Sequence, residues 1–182
     1  MEKPTWRRRS STYIADSPHM RMRVDEVELP DGTIIPAYFV RESAGFVIVF
    51  GLTEDRKVIL VRQYRYGADA IHLELPAGTI DEAEDPQTCA VRELAEETGY
   101  ESNDVTLIGS YRIEPARSSA SAFMFLAIDA RRTREKLLDP TEVIEVEFEP
   151  LESFREMLRD GRIDNGASIA TGYAALDRLN AL

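Results

Sequence analysis

The sequence predicts an α+β fold: a mixed β-sheet sandwiched by helices and preceded by an N-terminal unit of antiparallel strands. Three observations predict it. Short strand-like runs fill residues 10–78. Three helical stretches interrupt and follow further strands instead of alternating with them strictly. Two central runs, "GFVIVFGL" and "KVILVRQY", are apolar enough for strands buried on both faces.

In the N-terminal part, "SSTYIAD", "MRMRVDEVEL" and "TIIPAYFV" read as strands. The second sets Met20, Met22 and Val24 against charged neighbours, the period-two pattern of a half-buried strand. "PDG" at Pro30–Gly32 supplies the turn into the third. Two or three strands are marginal alone, so this unit must pack on the main body or on another copy of the chain. The expected division is residues 1–42 as an N-terminal strand unit and 43–182 as the main domain.

In the main body, the turn "TEDR" separates the two central strands, and "AIHLELPAG" is one further strand ending at a glycine. A helix follows over Pro86–Thr98: Asp85 suits the N-cap, Pro86 the first helical position and Gly99 the C-terminal stop. Strands are expected near 105–113, 121–129 and 143–149. "LESFREMLRDG" and "SIATGYAALDRL" read as helices.

Composition narrows the function. The 182 residues carry a formal charge of −11, which disfavours a general nucleic-acid partner. The triplet Arg7, Arg8, Arg9 is a local exception and reads as a solvated tail. The longest apolar runs, "AGFVIVFGL" and "SAFMFLAI", are too short to span a bilayer, so no membrane partner is expected. The basic N-terminus lacks an apolar h-region, so no signal peptide is expected. The single cysteine, Cys89, suits a reducing cytoplasm.

The chemistry concentrates in "GTIDEAEDPQTCAVRELAEETGY". It holds seven carboxylates (Asp81, Glu82, Glu84, Asp85, Glu93, Glu96, Glu97) and one cation, Arg92. On the helix, Glu93, Glu96 and Glu97 fall within an arc of roughly 100°. Glu93 and Glu97 are like charges at i,i+4, which cost an isolated helix roughly 0.2–0.5 kcal/mol. Ala90, Val91, Leu94 and Ala95 form the opposite, core-facing arc, so the acids cannot rotate away. A divalent cation supplies the missing positive charge most simply. Hard carboxylate oxygens favour Mg²⁺, Mn²⁺ or Ca²⁺ over zinc. No calcium-loop spacing is present, and Mg²⁺ completes its shell with water and substrate phosphates, which predicts a phosphate-bearing substrate. Cations neutralise a phosphoanhydride and activate water, while a free carboxylate takes the proton.

These residues resemble a known signature. Gly78, Glu84, Arg92, Glu93, Leu94, Glu96, Glu97, Gly99 and Tyr100 match the spacing of the Nudix box, with Tyr100 where aliphatic residues are commoner. A chance match of the fixed letters is on the order of 10⁻⁵ or less. "VRQYRYG", "ELPAG", Pro115, "FLA" and the N-terminal strands resemble the ADP-ribose and nucleotide-sugar pyrophosphatase branch of that family. The resemblance implies a Nudix-type α/β/α sandwich, a Mg²⁺- or Mn²⁺-dependent pyrophosphohydrolase and a homodimer that exchanges the N-terminal region. It implies Glu93, Glu97 and the Ala77 carbonyl as metal ligands, with Glu96 assisting. Gly78 would give the sharp strand-to-loop turn, and Arg92 and Glu84 would brace the loop and helix, with Gly99 closing the motif. Arg65 would contact a substrate phosphate, and Pro115 belongs to the substrate-binding set.

One departure bears on mechanism. Several ADP-ribose hydrolases carry "PGF" and then an acidic pair after this proline, one acid serving as general base, whereas this chain reads "PARSSASA". Glu114, Glu96, and Glu142 or Glu145 are then the candidate bases. Two other functions compete: a non-catalytic nucleotide-sensing module, which the intact box disfavours, and a nucleoside triphosphate sanitiser, which "VRQYR" and "ELPAG" disfavour. His72 reads as a structural or rim histidine, Cys89 as a packed thiol, and Trp6 and Tyr13 as packing residues or base-stacking platforms.

Overall fold

The computed structural model describes residues 5–17 and 20–180, which divide into two compact units. The first four residues of the basic tail lie outside them. The first unit comprises residues up to Gly45 with Arg112–Ser121. Its sheet contains β1 (Arg7–Ser17), β2 (Met20–Glu28) and β3 (Ile34–Glu42), antiparallel in the order β1-β2-β3. The expected turn closes the second hairpin: Gly32 adopts φ 87° and donates its N–H to the Leu29 carbonyl at 2.9 Å.

Two expectations for this unit are corrected. The arginine triplet is part of β1 and not a solvated tail, because Glu26 and Glu28 on β2 receive it: Arg7 pairs with Glu28, and Arg9 reaches Glu26 at 3.3 Å. On β2 the buried residues are Asp25 and Val27, while Met20 remains 43% exposed. The charged row is tolerated because Arg23 is shared between Asp25 and Glu42, the latter at 2.7 Å.

The second unit comprises Phe46–Tyr111 and Ala122–Leu182. Its strands are β4 (Phe46–Thr53), β5 (Lys57–Arg65), β6 (Ala70–Glu74), β7 (Ala77–Thr79), β8 (Tyr100–Glu101), β9 (Asp104–Arg112), β10 (Ser121–Arg132) and β11 (Ile144–Pro150). Its helices are α1 (Pro86–Thr98), α2 (Leu151–Asp160) and α3 (Gly166–Arg178). The sheet order is β11-β5-β4-β10-β8, with β6 on β5, β7 on β4 and β9 on β10. β4 and β10 run parallel, whereas β5 is antiparallel to β4, β6 and β11, so the sheet is mixed.

Because successive strand residues face opposite ways, the apolar run of β4 serves two cores. Val47 and Val49 pack with Ile59, Leu94 and Phe125 beneath α1. Phe50 faces the other way, edge-on to Phe154 of α2 at 5.3 Å. The predicted α+β class, a mixed sheet with helices plus an antiparallel N-terminal sheet, describes what is observed.

The stretch "AIHLELPAG" forms two strands instead of one. Pro76 has no N–H to give to a ladder, and the chain leaves β5 after Glu74 and joins β4 at Ala77. This crossing brings Ala77 and Gly78 against α1. The third helix begins at Gly166, two residues earlier than expected, because the Asn165 side chain caps it by accepting from the N–H groups of Ala167 and Ser168.

Candidate active site

The site is built around α1. Asp85 accepts a hydrogen bond from the Thr88 N–H at 3.0 Å, Pro86 opens the helix, and Gly99 ends it at φ 79°. A side chain at Gly99 would collide with the Arg134 carbonyl, so that position needs glycine twice over. Ala90, Leu94 and Ala95 are buried as expected, but Val91 is 39% exposed, so the core-facing arc is narrower than the sequence suggested. Cys89 is fully buried among these residues, and burial pushes its thiol up to about 12, which makes it a packed, inert sulfur.

The acidic face opens onto a cleft of about 730 Å³. Glu97 is its deepest acid, only 4% exposed, and one carboxylate oxygen accepts the Ala77 N–H at 3.0 Å. Burial raises its pKa to about 8, against the opposing effect of that hydrogen bond. Glu93 is also raised, again mainly by burial. Its carboxylate lies flat against Gly78: a Cβ built there would stand 1.8 Å from the Glu93 Cδ. Gly78 has no left-handed φ, so close approach is what demands glycine here.

Arg92 holds the loop and the helix together. Its guanidinium takes both oxygens of Glu84 at 2.9 Å, then Glu93 at 2.7 Å and Glu96 at 3.0 Å. The fork geometry suits such multiple pairing. The Arg92 bond holds Glu84 down at about 2, while Glu84 and its neighbours raise the arginine further.

From the end of β5, Arg65 and Gln63 line the same cleft. Glu74, 2% exposed, grips the Arg65 Nε at 3.1 Å and Nη2 at 2.6 Å. The 133–143 segment forms the remaining wall with Leu137, Leu138, Asp139 and Glu142. It is anchored where the Leu137 N–H donates to the Glu96 carbonyl at 2.8 Å. Glu142 accepts from the Asp139 N–H at 3.0 Å, and its charge contributes to raising both Glu93 and Glu97.

The structure therefore brings Arg65, Ala77, Gly78, Arg92, Glu93, Glu96, Glu97 and Glu142 to one cleft. Glu84 stands behind Arg92. Glu114 and Pro115 belong to the first unit, in an exposed turn where the Glu114 carbonyl accepts from Arg117 and Ser118. Glu145 lies on β11 opposite Arg62. His72 is bonded through Nδ1 to Asp164 at 2.7 Å, and Trp6 stacks edge-on to Tyr38. Sequence reasoning missed Glu74 and Asp139. Glu74 carried a signal: a carboxylate between Leu73 and Leu75 in a buried-type run requires a partner.

The donor set fits a divalent metal. Two carboxylates, Glu93 and Glu97, are raised by burial and face a polar cleft, which is an environment short of positive charge. Among the described residues no three acidic, histidine or cysteine side chains converge as a closed metal cage. Glu93 is instead satisfied by Arg92 and Glu97 by the Ala77 N–H. An ion that keeps several waters and takes one or two carboxylates needs no closed cage.

In comparison with known proteins, two family models match successive stretches of the chain. The NUDIX domain model matches residues 43–170, and the model for the nucleoside diphosphate sugar hydrolase N-terminal domain matches residues 6–40. An ADP-ribose pyrophosphatase of Bacillus subtilis is 33% identical over 155 residues, covering 84% of this chain and 83% of its own. A methanol dehydrogenase activator of Bacillus methanolicus is 31% identical over 159 residues, covering 86% and 85%. A solved ADP compounds hydrolase shares the fold with a TM-score of 0.84 at 22% identity, covering 100% of this chain and 98% of its own.

Proposed function

The chain is a Nudix pyrophosphohydrolase of the ADP-ribose and nucleotide-sugar branch, and we propose that ADP-ribose or a nucleotide sugar is its substrate and Mg²⁺ its metal. The products are then a nucleoside monophosphate and a sugar phosphate. The observation that carries this reading is the presence, in one cleft, of the half-buried Glu93 and the buried Glu97 together with Arg65. Acids alone would repel a diphosphate, and the guanidinium in the same cleft gives its oxygens somewhere to bind.

Glu93, Glu97 and the Ala77 carbonyl are the groups that would hold the ion. Bound there, Mg²⁺ supplies charge neutralisation for the diphosphate and a water of lowered pKa. The chain's own residues do the rest. Arg65 orients a phosphate through charge-assisted hydrogen bonds. Arg92 fixes the positions of Glu93 and Glu96. Leu137 and Leu138 narrow one wall of the cleft. For the base, Glu142 stands first: it lines the cleft on a segment outside the helix, whereas Glu96 is engaged by Arg92. Glu114 remains the competing candidate. The cleft's volume falls in the roughly 300–1,000 Å³ range usual for small-molecule sites.

A homodimer built through the first unit belongs to the same reading. Ile14, Met20 and Phe39 of its sheet are 54%, 43% and 49% exposed within one chain, a display that a second copy would cover.

The test is a panel of ADP-ribose, nucleotide sugars and nucleoside triphosphates, with products identified and each reaction run with Mg²⁺ or excess chelator. Cleavage of a diphosphate-linked substrate to a nucleoside monophosphate, abolished by chelator and restored by Mg²⁺, is expected. Turnover confined to triphosphates, or undiminished after exhaustive chelation, would sink the proposal.

A further inference from the structure

Arg65 has a keeper. Glu74 is 2% exposed, buried between Leu73 and Leu75, which are 7% and 0% exposed. A carboxylate in such surroundings is costly unless it is paired and hydrogen-bonded. Its partner is the Arg65 guanidinium, which it takes side-on through Nε at 3.1 Å and Nη2 at 2.6 Å. The arginine itself is not buried: its side chain is 45% exposed and lines the cleft. The pair thus has one end in the core and one end in the site.

The neighbourhood explains why a keeper matters. Glu97 and Glu142 both act electrostatically on Arg65, in the same direction as Glu74. A free arginine among these acids would be drawn onto the carboxylates that the metal reading assigns to other work. A side-on grip by Glu74 occupies Nε and one face of Nη2. It leaves Nη1, which bonds to no protein group among the described residues, at the far corner of the fork.

We infer that Glu74 is a positioning residue for substrate binding. It anchors the Arg65 guanidinium so that its free edge presents to a phosphate oxygen instead of collapsing onto Glu97 or Glu142. The inference rests on the reading of Arg65 as a phosphate contact and adds the residue that orients it. Glu74 touches neither the substrate nor the metal groups in this scheme, so its whole effect runs through Arg65.

That last property makes it testable by a double-mutant cycle. Glu74→Gln, Arg65→Ala and the double variant are assayed for KM and kcat on the nucleotide diphosphate substrate, with thermal unfolding followed in parallel. Arg65→Ala should raise KM by about tenfold or more, the scale of one charge-assisted hydrogen bond. Glu74→Gln should raise KM by a comparable factor, with kcat falling no more than about threefold. The double variant should match Arg65→Ala alone. Multiplicative effects of the two single changes would overturn the inference, because Glu74 would then act by another route. An Arg65→Ala variant with unchanged KM would overturn the phosphate reading itself, a different outcome from the first. Should Glu74→Gln fail to fold, Arg65→Lys decides the matter. A lysine keeps the charge but cannot be held side-on, so KM should rise nearly as far as with alanine. A lysine variant with native KM would show that orientation by Glu74 is unnecessary.

Discussion

Replacing Gly78 by alanine should silence the enzyme without unfolding it. The added Cβ would lie 1.8 Å from the Glu93 Cδ, 2.0 Å from Oε1 and 2.3 Å from Oε2. Ordinary contact begins near 3.4 Å, so the carboxylate must retreat by about 1.6 Å. It can do so, because the obstructing atoms are the end of a rotatable side chain and Gly78 sits in a short strand with no left-handed φ. The backbone therefore accepts alanine, and the lost glycine freedom in the unfolded chain offsets part of the strain, roughly 0.4–1 kcal/mol. The Glu93–Arg92 contact at 2.7 Å is what gives way. A misplacement of about 1 Å in a catalytic constellation costs on the order of 10²-fold, so kcat should fall by about that factor or more. The melting temperature should move by only a few degrees. The assay is steady-state product release under saturating Mg²⁺, paired with a Mg²⁺ titration followed by activity or calorimetry. A Gly78→Ala enzyme with native kcat and native Mg²⁺ affinity would refute the argument that Glu93 must rest against bare backbone.

Three further outcomes follow from the same geometry. Glu97→Gln should lower kcat by about 10²-fold, the scale of losing one electrostatic stabiliser. It should also flatten the stability profile of the metal-free protein. Between the ordinary 4.5 and about 8 the folded chain keeps a Glu97 proton that the unfolded chain has released, so stability falls as pH rises through that window. The fall is at most about 1.4 kcal/mol per pH unit for one group. Melting curves in chelator that run parallel for the two proteins would contradict this. Among Gln variants made in parallel, Glu142→Gln should lose about 10²–10⁴-fold in kcat and Glu114→Gln little; the reverse ranking would move the base to Glu114. Deleting residues 1–42 should convert a homodimer to monomer or aggregate, read by light scattering, and a full-length monomer at working concentration would defeat the dimer.

How much of this was legible beforehand depends on the range of the interactions involved. Helix α1 could be read to its ends because its signals are local: a capping carboxylate three residues from the N–H that donates to it, a proline at the first turn, a glycine with positive φ. The acidic face was legible because 3.6-residue periodicity is geometry. What the sequence withheld was set by crossings. "AIHLELPAG" looks like one strand, and only the sheet order shows that it leaves β5 for β4 at Pro76. That step places Ala77 against Glu97 and Gly78 against Glu93, contacts twenty and fifteen positions apart that no local pattern encodes. The same step leaves Glu74 behind on β6 as the buried partner of Arg65. The proline is therefore the hinge of the site: before it the strand holds Glu74 against Arg65, and after it the chain runs against Glu93 and Glu97. A box motif records the second half alone, which is why the acids could be read from the sequence, whereas Glu74 showed there only that it needs a partner and not that the partner is Arg65.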